Sequence, residues 1–318
     1  MKILVTGGAG FVGSCLSEQL LNRGNEVVAL DNFNDYYSPE RKRKNIEPLL
    51  DNDKFTLIEG DFRDQVVLND LFNKFAPEAI AHMGAMANVR HSVKHPHLFN
   101  DVNVIGTGNL LELAAKTNVN NFVFASTSSI YGQRKEVPFI ETDRTDGPLA
   151  PYPATKKMGE LLGHAYQNMH GLNFTALRFF NVYGPKGRPD MMPYKVFELL
   201  TNNEEITLFD AGELSRDWTY IDDVVSGVIS AIEKPHPYEI INIGRGEPFP
   251  MTEFINIAES IAGIKANIRN APAPLSEPKI TYANVDKAKK LYGYNPQTSL
   301  QVGLSNLWEW FQAEVLNN

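Results

Sequence analysis

An apolar run, Lys2–Thr6, opens straight into glycines at positions 7, 10 and 13, and a segment of helical periodicity, Phe11–Arg23, begins inside that turn. Glycines spaced this way let the chain reverse tightly and bring backbone N–H groups close to a ligand at the positive end of the following helix. A strand that turns at once into a helix constrains the rest of the sheet, because the helix must pack back on it and the next strand must lie parallel to the first. The N-terminal half repeats the unit. Glu26–Leu30, Phe55–Glu59, Ala79–His82 and Asn121–Ser126 read as strands, nearly continuous in apolar character as parallel strands buried on both faces must be. Val66–Phe75 and Leu98–Lys116 have the helical period, a further helix starts near Tyr152, and Phe174–Phe180 continues the alternation. The expected fold is α/β, a doubly wound parallel sheet.

After Asn181 proline and glycine become frequent and the alternation loosens. Phe254–Ala262 and Leu300–Glu314 keep helical periodicity, and Ile240–Ile243 reads as one more buried strand returning to the large sheet. A chain of 318 residues is long for a single core. Residues 1–180 are therefore expected to form a dinucleotide-binding domain, with a returning segment near 220–250. Residues 181–318 are expected to form a smaller, interleaved α/β substrate domain.

A formal net charge of −8 argues against nucleic acid or an anionic membrane surface as the main partner. The single cysteine, Cys15, allows no intramolecular disulfide and argues against a cysteine-based metal site. His91, His95 and His97 lie close together without a carboxylate-rich partner motif, so they read as solvated histidines and no metal is expected. The N-terminal apolar run is broken by glycines, unlike a signal peptide, and no stretch approaches the ~18 apolar residues of a membrane span. The expectation is a cytoplasmic protein.

Gly7, Gly10 and Gly13, with Phe11 and Val12 in the same turn, form the candidate dinucleotide-binding set. Asp31 ends the second strand about 20 residues further on, where a carboxylate accepts hydrogen bonds from an adenosine ribose and repels a 2′-phosphate; the cofactor is therefore expected to be NAD rather than NADP. Asn32 lies beside it. Asp61 and Phe62 come after the third strand and are placed to meet the adenine edge. The basic run Arg41–Lys44 sits among polar residues of the next helix and reads as a solvated face.

Tyr152 and Lys156 stand four residues apart, so they share one face of a helix. A lysine cation and an oxidised nicotinamide would both favour the phenolate, which can then take a proton from a sugar hydroxyl. Ser126-Thr127-Ser128 at the end of the fifth strand adds hydroxyls to the same site.

The segments GGAGFVG, STSSIYG, YPATK and RDWTYIDD occur in that order over essentially the whole chain. Together they resemble the extended short-chain dehydrogenases/reductases of the nucleotide-sugar epimerase group, which have a Rossmann-type sheet. The resemblance implies Thr127 as hydroxyl partner at the reacting oxygen and Tyr152 as acid/base. It implies Lys156 on the nicotinamide ribose, Arg216 on the diphosphate of a UDP-sugar and Phe209 beside the uracil. It also implies a homodimer paired through Leu98–Lys116 and Tyr152–Met169.

Dehydratases of this group place Asp-Glu after the catalytic threonine, and the decarboxylases commonly a glutamate. Here the pair is Ser128-Ser129, which suits simple inversion at C4. DNFNDYY (Asp31–Tyr37), NVRHS (Asn88–Ser92) and GPKGRPDM (Gly184–Met191) are similar to UDP-glucuronate 4-epimerases. By that similarity Arg188, Ser128 and Ser129 meet the sugar carboxylate, with Met191 and Asn181 lining the site. Arg90 is a second basic candidate or a loop salt bridge. A charge-assisted hydrogen bond is worth about 1.5–3 kcal/mol, enough for one arginine to prefer a uronate. Three departures stand out: Asn181, often threonine in these enzymes; Met86, often polar; and Pro274–Pro278 in place of a proline-glycine-aspartate turn. The expected activity is conversion of UDP-glucuronate to UDP-galacturonate. The alternatives are a UDP-glucose/UDP-galactose 4-epimerase, a UDP-glucuronate decarboxylase, and a non-catalytic dinucleotide sensor.

Overall fold

The computed structural model describes residues 1–117, 119–273 and 278–316. The first half runs β1 (Lys2–Thr6), α1 (Phe11–Asn22), β2 (Glu26–Asp31), α2 (Pro39–Ile46), β3 (Phe55–Glu59), α3 (Gln65–Phe75) and β4 (Ala79–His82). Two short helices come next, α4 (Val89–Lys94) and α5 (Pro96–Asn100), then α6 (Thr107–Lys116), β5 (Asn121–Thr127), α7 (Pro151–His170) and β6 (Asn173–Phe179). Beyond these come β7 (Asn181–Tyr183), α8 (Met192–Thr201), β8 (Glu205–Phe209), β9 (Ser215–Tyr220), α9 (Ile221–Glu233) and β10 (Tyr238–Ile243). The chain continues through β11 (Pro248–Pro250), α10 (Met251–Ala262), β12 (Asn267–Ala271), β13 (Ile280–Thr281), α11 (Asp286–Tyr292) and α12 (Leu300–Phe311).

Seven parallel strands form the large sheet in the order β10-β6-β5-β4-β1-β2-β3. Their apolar side chains point to both faces. Helices α1 and α9 cover one face, and α3, α6 and α7 the other. The strand order reverses between β1 and β4, which opens a crevice beyond the carboxyl ends of the strands. The strand expected at Ile240–Ile243 forms the edge of this sheet, paired with β6. The smaller elements build over the carboxyl end: β9 pairs with β7, β11 and β13, and β8 with β12. Among the described residues no helix is long and apolar enough to cross a membrane.

One expected element differs in detail. Leu98–Lys116 is helical throughout but not uniformly α-helical, because a π-helical turn, Asp101–Gly106, lies between α5 and α6. The widened turn buries Asn103, whose side chain bonds both the N–H and the C=O of Met86 at 2.9 Å. Helices interrupted in this way are frequent at functional sites.

Helix α7 lies unusually close to the sheet. A Cβ at Gly159 would collide with the Phe124 ring, and one at Gly163 with Phe174. Between them Glu160 is 0% exposed. Its carboxylate accepts from Ser126 Oγ at 2.8 Å and from Arg178 Nε and Nη2, both at 2.9 Å. Arg178 is itself 1% exposed. This pair joins α7, β5 and β6 through charge-assisted hydrogen bonds.

Candidate functional site

A cleft of about 770 Å³ runs along the carboxyl edge of the large sheet and is roofed by the β7–α8 segment. At one end lies the glycine turn. Gly7 has φ +63°, and a Cβ there would come 2.7 Å from the Gly84 backbone. Gly10 N–H donates to the Gly7 carbonyl at 3.0 Å, and a methyl at Gly13 would collide with that same carbonyl. Only glycine fits at 7 and 13, and the turn delivers α1 with its N-terminus facing the cleft, where Gly10, Phe11, Val12 and Gly13 all line the wall.

Asp31 is buried at the end of β2. Its Oδ2 accepts from Ala9 N–H at 3.1 Å and its Oδ1 from Phe33 N–H at 2.9 Å. Each oxygen keeps a lone pair for a ribose hydroxyl. The cradle of glycines, the helix end and this carboxylate fit the diphosphate and adenosine of NAD. Asn32 also lines the cleft and donates to Asp61 at 2.8 Å. Asp61 does not line it; Arg63 holds it at 2.7 Å, and burial of the carboxyl is outweighed by those bonds, so its pKa is lowered. Phe62 does line the cleft.

The basic run corrects one expectation. Lys42 is buried and lines the cleft, with Nζ donating to the Asn34 carbonyl at 2.8 Å and to its side chain at 3.1 Å. Arg41 lies over the Tyr194 ring at 4.6 Å and the Trp310 ring at 5.7 Å, while Arg43 is exposed and pairs with Glu59 at 3.0 Å. Four successive helical residues point in four directions, so a uniformly basic run need not be a uniformly solvated face.

At the other end of the cleft stand Thr127, at the close of β5, and Tyr152 and Lys156 on α7. Burial raises the Tyr152 phenol above its ordinary pKa, and the Thr127 hydroxyl and Arg188 guanidinium bring it part of the way back. Lys156 is 3% exposed, and burial alone pulls its ammonium down from 10.5 to about 7. Its Nζ lies 4.7 Å from the centre of the Phe124 ring. Met86, Ser128, Ser129, Asn181, Arg188 and Met191 line the same cleft. Thr127 Oγ1 donates to Ser129 Oγ and accepts from Ser129 N–H, both at 3.2 Å. Arg90 on α4, Phe209 at the end of β8 and Arg216 on β9 do not line the cleft; Arg216 donates to the Pro278 carbonyl at 3.0 Å. Of the atypical segment Pro274–Pro278, residues 274–277 lie outside the described residues.

Sequence reasoning missed a buried hydrogen-bond chain under the site. Gly84 N–H donates to Thr6 Oγ1 at 3.1 Å, and Thr6 Oγ1 lies 2.6 Å from His82 Nδ1. His82 Nε2 lies 3.0 Å from Thr107 Oγ1, which donates to the Asn103 carbonyl at 2.6 Å. With Thr107 already donating, His82 carries its proton on Nε2. Burial first, and Lys156 second, hold its pKa well below the usual value, so the ring is neutral. Asn103 then donates to Thr155 Oγ1 at 3.0 Å, and Thr155 to the Tyr152 carbonyl at 2.8 Å. The glycine turn and the tyrosine helix are thus linked through one satisfied network.

The folded pKa of Lys156 lies below its unfolded value, so between about pH 7 and 10.5 the unfolded chain binds more protons and stability rises with pH. Lys156→Met keeps the length and removes the charge. In protein stripped of cofactor, urea unfolding at pH 7 should show this variant more stable than wild type by about 2–4 kcal/mol. The rise between pH 7 and 10 should flatten. A variant less stable at pH 7 would contradict the burial cost assigned to Lys156.

A profile for the NAD dependent epimerase/dehydratase family matches residues 3–244. UDP-glucuronate 4-epimerase 5 of Arabidopsis thaliana is 38% identical over 331 residues, covering 98% of this chain and 76% of the relative. The crystal structure of UDP-glucuronic acid 4-epimerase from Bacillus cereus, in complex with UDP-glucuronic acid and NAD, superposes with a TM-score of 0.90 at 34% identity, covering 98% of this chain and 99% of that one. UDP-glucose 4-epimerase from Thermotoga maritima, with UDP-glucose, gives the same TM-score at 31% identity and the same coverage.

Proposed function

Because the chain belongs to the NAD dependent epimerase/dehydratase family, we propose that it inverts C4 of a UDP-sugar, and that the sugar is UDP-glucuronate, converted to UDP-galacturonate through a 4-keto sugar. The observation that carries the choice of sugar is Arg188, a cation lining the cleft near enough to Tyr152 to lower the phenol's pKa. The family resemblance is consistent with it: relatives at this similarity include UDP-glucuronate 4-epimerases.

In this reading residues 1–180, with the returning strand β10, hold the cofactor through Gly7, Gly10, Phe11, Val12, Gly13, Asp31 and Asn32, and residues 181–318 close over the UDP-sugar. Lys42 adds a cation at the adenosine end. When bound, NAD supplies the two-electron oxidant for C4 and the reductant that restores it. Tyr152 takes the proton from the C4 hydroxyl and gives it back, and Thr127 orients that oxygen. Lys156 follows Tyr152 by one helical turn, and in its protonated form it would favour the phenolate that burial disfavours. Ser128 and Ser129 offer hydroxyls where elimination would need a carboxylic acid, so the oxidised sugar has no group beside Thr127 to expel water and can only turn over and be reduced on its other face.

A second reading has its own support. Arg188 is already paired with Asp190 at 2.6 Å, which would suit a neutral sugar such as UDP-glucose, and Asn181, by resemblance the residue that neutral-sugar epimerases often carry at this position, points the same way. Proton NMR of NAD-loaded protein with each sugar separates the two. UDP-galacturonate is expected from UDP-glucuronate, and Tyr152→Phe should slow it by about 10²–10⁴-fold. Turnover of UDP-glucose alone would overturn the acidic-sugar reading, a UDP-pentose would mean decarboxylation, and no turnover of either would mean a dinucleotide sensor.

We also infer a homodimer. Leu98 on α5, Ile105 in the π-helical turn, and Met158 and Leu161 on α7 are apolar and 37–54% exposed. Apolar side chains exposed on neighbouring helices suit a subunit contact. Light scattering should give twice the chain mass, and a single-chain mass at micromolar concentration would contradict the pairing.

A further inference from the structure

Asp190 stands where loops from both walls of the cleft meet. Its Oδ2 accepts from the Tyr36 hydroxyl at 2.9 Å, the Asn88 amide at 2.8 Å and Arg188 Nη2 at 2.6 Å, and its Oδ1 accepts from Arg188 Nε at 2.9 Å. Tyr36 lies in the loop after β2, Asn88 caps α4 by accepting from His91 N–H at 2.8 Å, and Asp190 belongs to the segment between β7 and α8. Arg188 Nη2 donates as well to the Ala87 carbonyl at 2.5 Å. The Nε–Nη2 edge of the guanidinium is therefore committed, whereas Nη1 meets no acceptor among the described residues, and Arg188 lines the cleft.

We propose that Asp190 is a specificity-determining residue: by neutralising one edge of Arg188 and fixing it from both walls of the cleft, it sets how strongly the site prefers an acidic sugar to a neutral one. The inference rests on the reading of Arg188 as the cation that faces the sugar. A guanidinium paired with Asp190 has no net charge to offer as a pair. A uronate carboxylate arriving at Nη1 meets one free donor and a nearby anion, while a neutral hydroxymethyl group meets the donor without the repulsion. The clamp therefore holds the arginine in register and tempers its selectivity.

The remaining groups around the clamp are consistent with a fixed geometry. Burial works to raise the Asp190 carboxyl, but Arg188, with Asn88 and Tyr36, outweighs it and holds the pKa at about 2. Tyr36 is pushed up to about 12, by burial first and the Asp190 charge second, so it stays a donor. The Arg188 guanidinium lies 5.6 Å from the centre of the Tyr36 ring, whose edge meets His91 at 5.1 Å. Partly burying Asp190 without its partners would be costly, so each donor that it keeps helps hold the clamp.

Calorimetric binding of UDP-glucuronate and UDP-glucose tests the proposal, using NAD-loaded protein that carries Tyr152→Phe so that neither sugar turns over. With Asp190→Asn the ratio of the two dissociation constants should shift about five- to tenfold toward the acidic sugar. Asp190→Glu, which restores the charge, should bring the ratio back toward that of the parent. Tyr36→Phe should move it the opposite way, about twofold toward UDP-glucose, because one fewer donor leaves more of the carboxylate to Arg188. Equal weakening for both sugars in Asp190→Asn, or an unchanged ratio, would overturn the role of Asp190. If that variant does not fold, no shift in Tyr36→Phe overturns it. Tighter binding of UDP-glucose by the parent protein counts instead against the choice of sugar, and the two failures remain distinct.

Discussion

Glu160 carries its carboxylate with no exposure to water, and the Thr127–Tyr152 end of the cleft is arranged around the groups that satisfy it. Arg178 reaches it from β6, Ser126 from β5, and Lys157 from its own helix at 3.1 Å. Breaking a buried pair by removing one partner costs about 3–5 kcal/mol, so helix, strand and arginine hold one another in place. Ser126 precedes Thr127, and Glu160 lies two helical turns beyond Tyr152 and one beyond Lys156. The carboxylate therefore fixes the separation of threonine, tyrosine and lysine without touching the site. The close approach permitted by Gly159 and Gly163 completes the arrangement.

Within that rigid frame, Lys156 is held away from the water that would ordinarily keep it charged. Its ammonium faces the ring of Phe124, a core residue beneath the cleft, and burial works against its charge. Such a residue destabilises the chain that carries it, and under the proposed reaction it is kept for what its cation does for the tyrosine one helical turn away. Beneath it the chain from Gly84 through His82, Thr107, Asn103 and Thr155 to the Tyr152 carbonyl has each donor matched to an acceptor. A fully satisfied buried network of this kind rigidifies what it connects, here the turn that would cradle the cofactor and the helix that carries Tyr152 and Lys156.

The strands of the large sheet were readable from sequence because burial on both faces writes itself as an uninterrupted apolar run. Lys2–Thr6 and Ala79–His82 form as expected to the residue, and so does the edge strand Phe55–Glu59, although only Phe55 of it is buried. The glycine turn was equally legible, since a single added methyl at Gly13 would strike Gly7. The π-helical turn within Leu98–Lys116 was not, because one extra residue in such a turn barely disturbs an apolar period. Lys42 was hidden by its basic neighbours. Asp190 could not have been found at all, as its partners Tyr36 and Asn88 lie 154 and 102 residues away in the chain. Local pattern reveals elements and turns; long-range polar contacts emerge only once the fold has brought them together.

What distinguishes the proposed inversion from other chemistry on such a cleft is that the hydrogen at C4 leaves and returns within one closed site, while Tyr152 moves only the hydroxyl proton. A UDP-sugar substrate carrying deuterium at C4, with mass spectrometry and proton NMR of the epimeric product formed in ordinary water, tests this directly. The account predicts that the product keeps its deuterium at C4. Replacement of that label by solvent hydrogen would mean that C4 is deprotonated rather than oxidised, and would contradict the assignment.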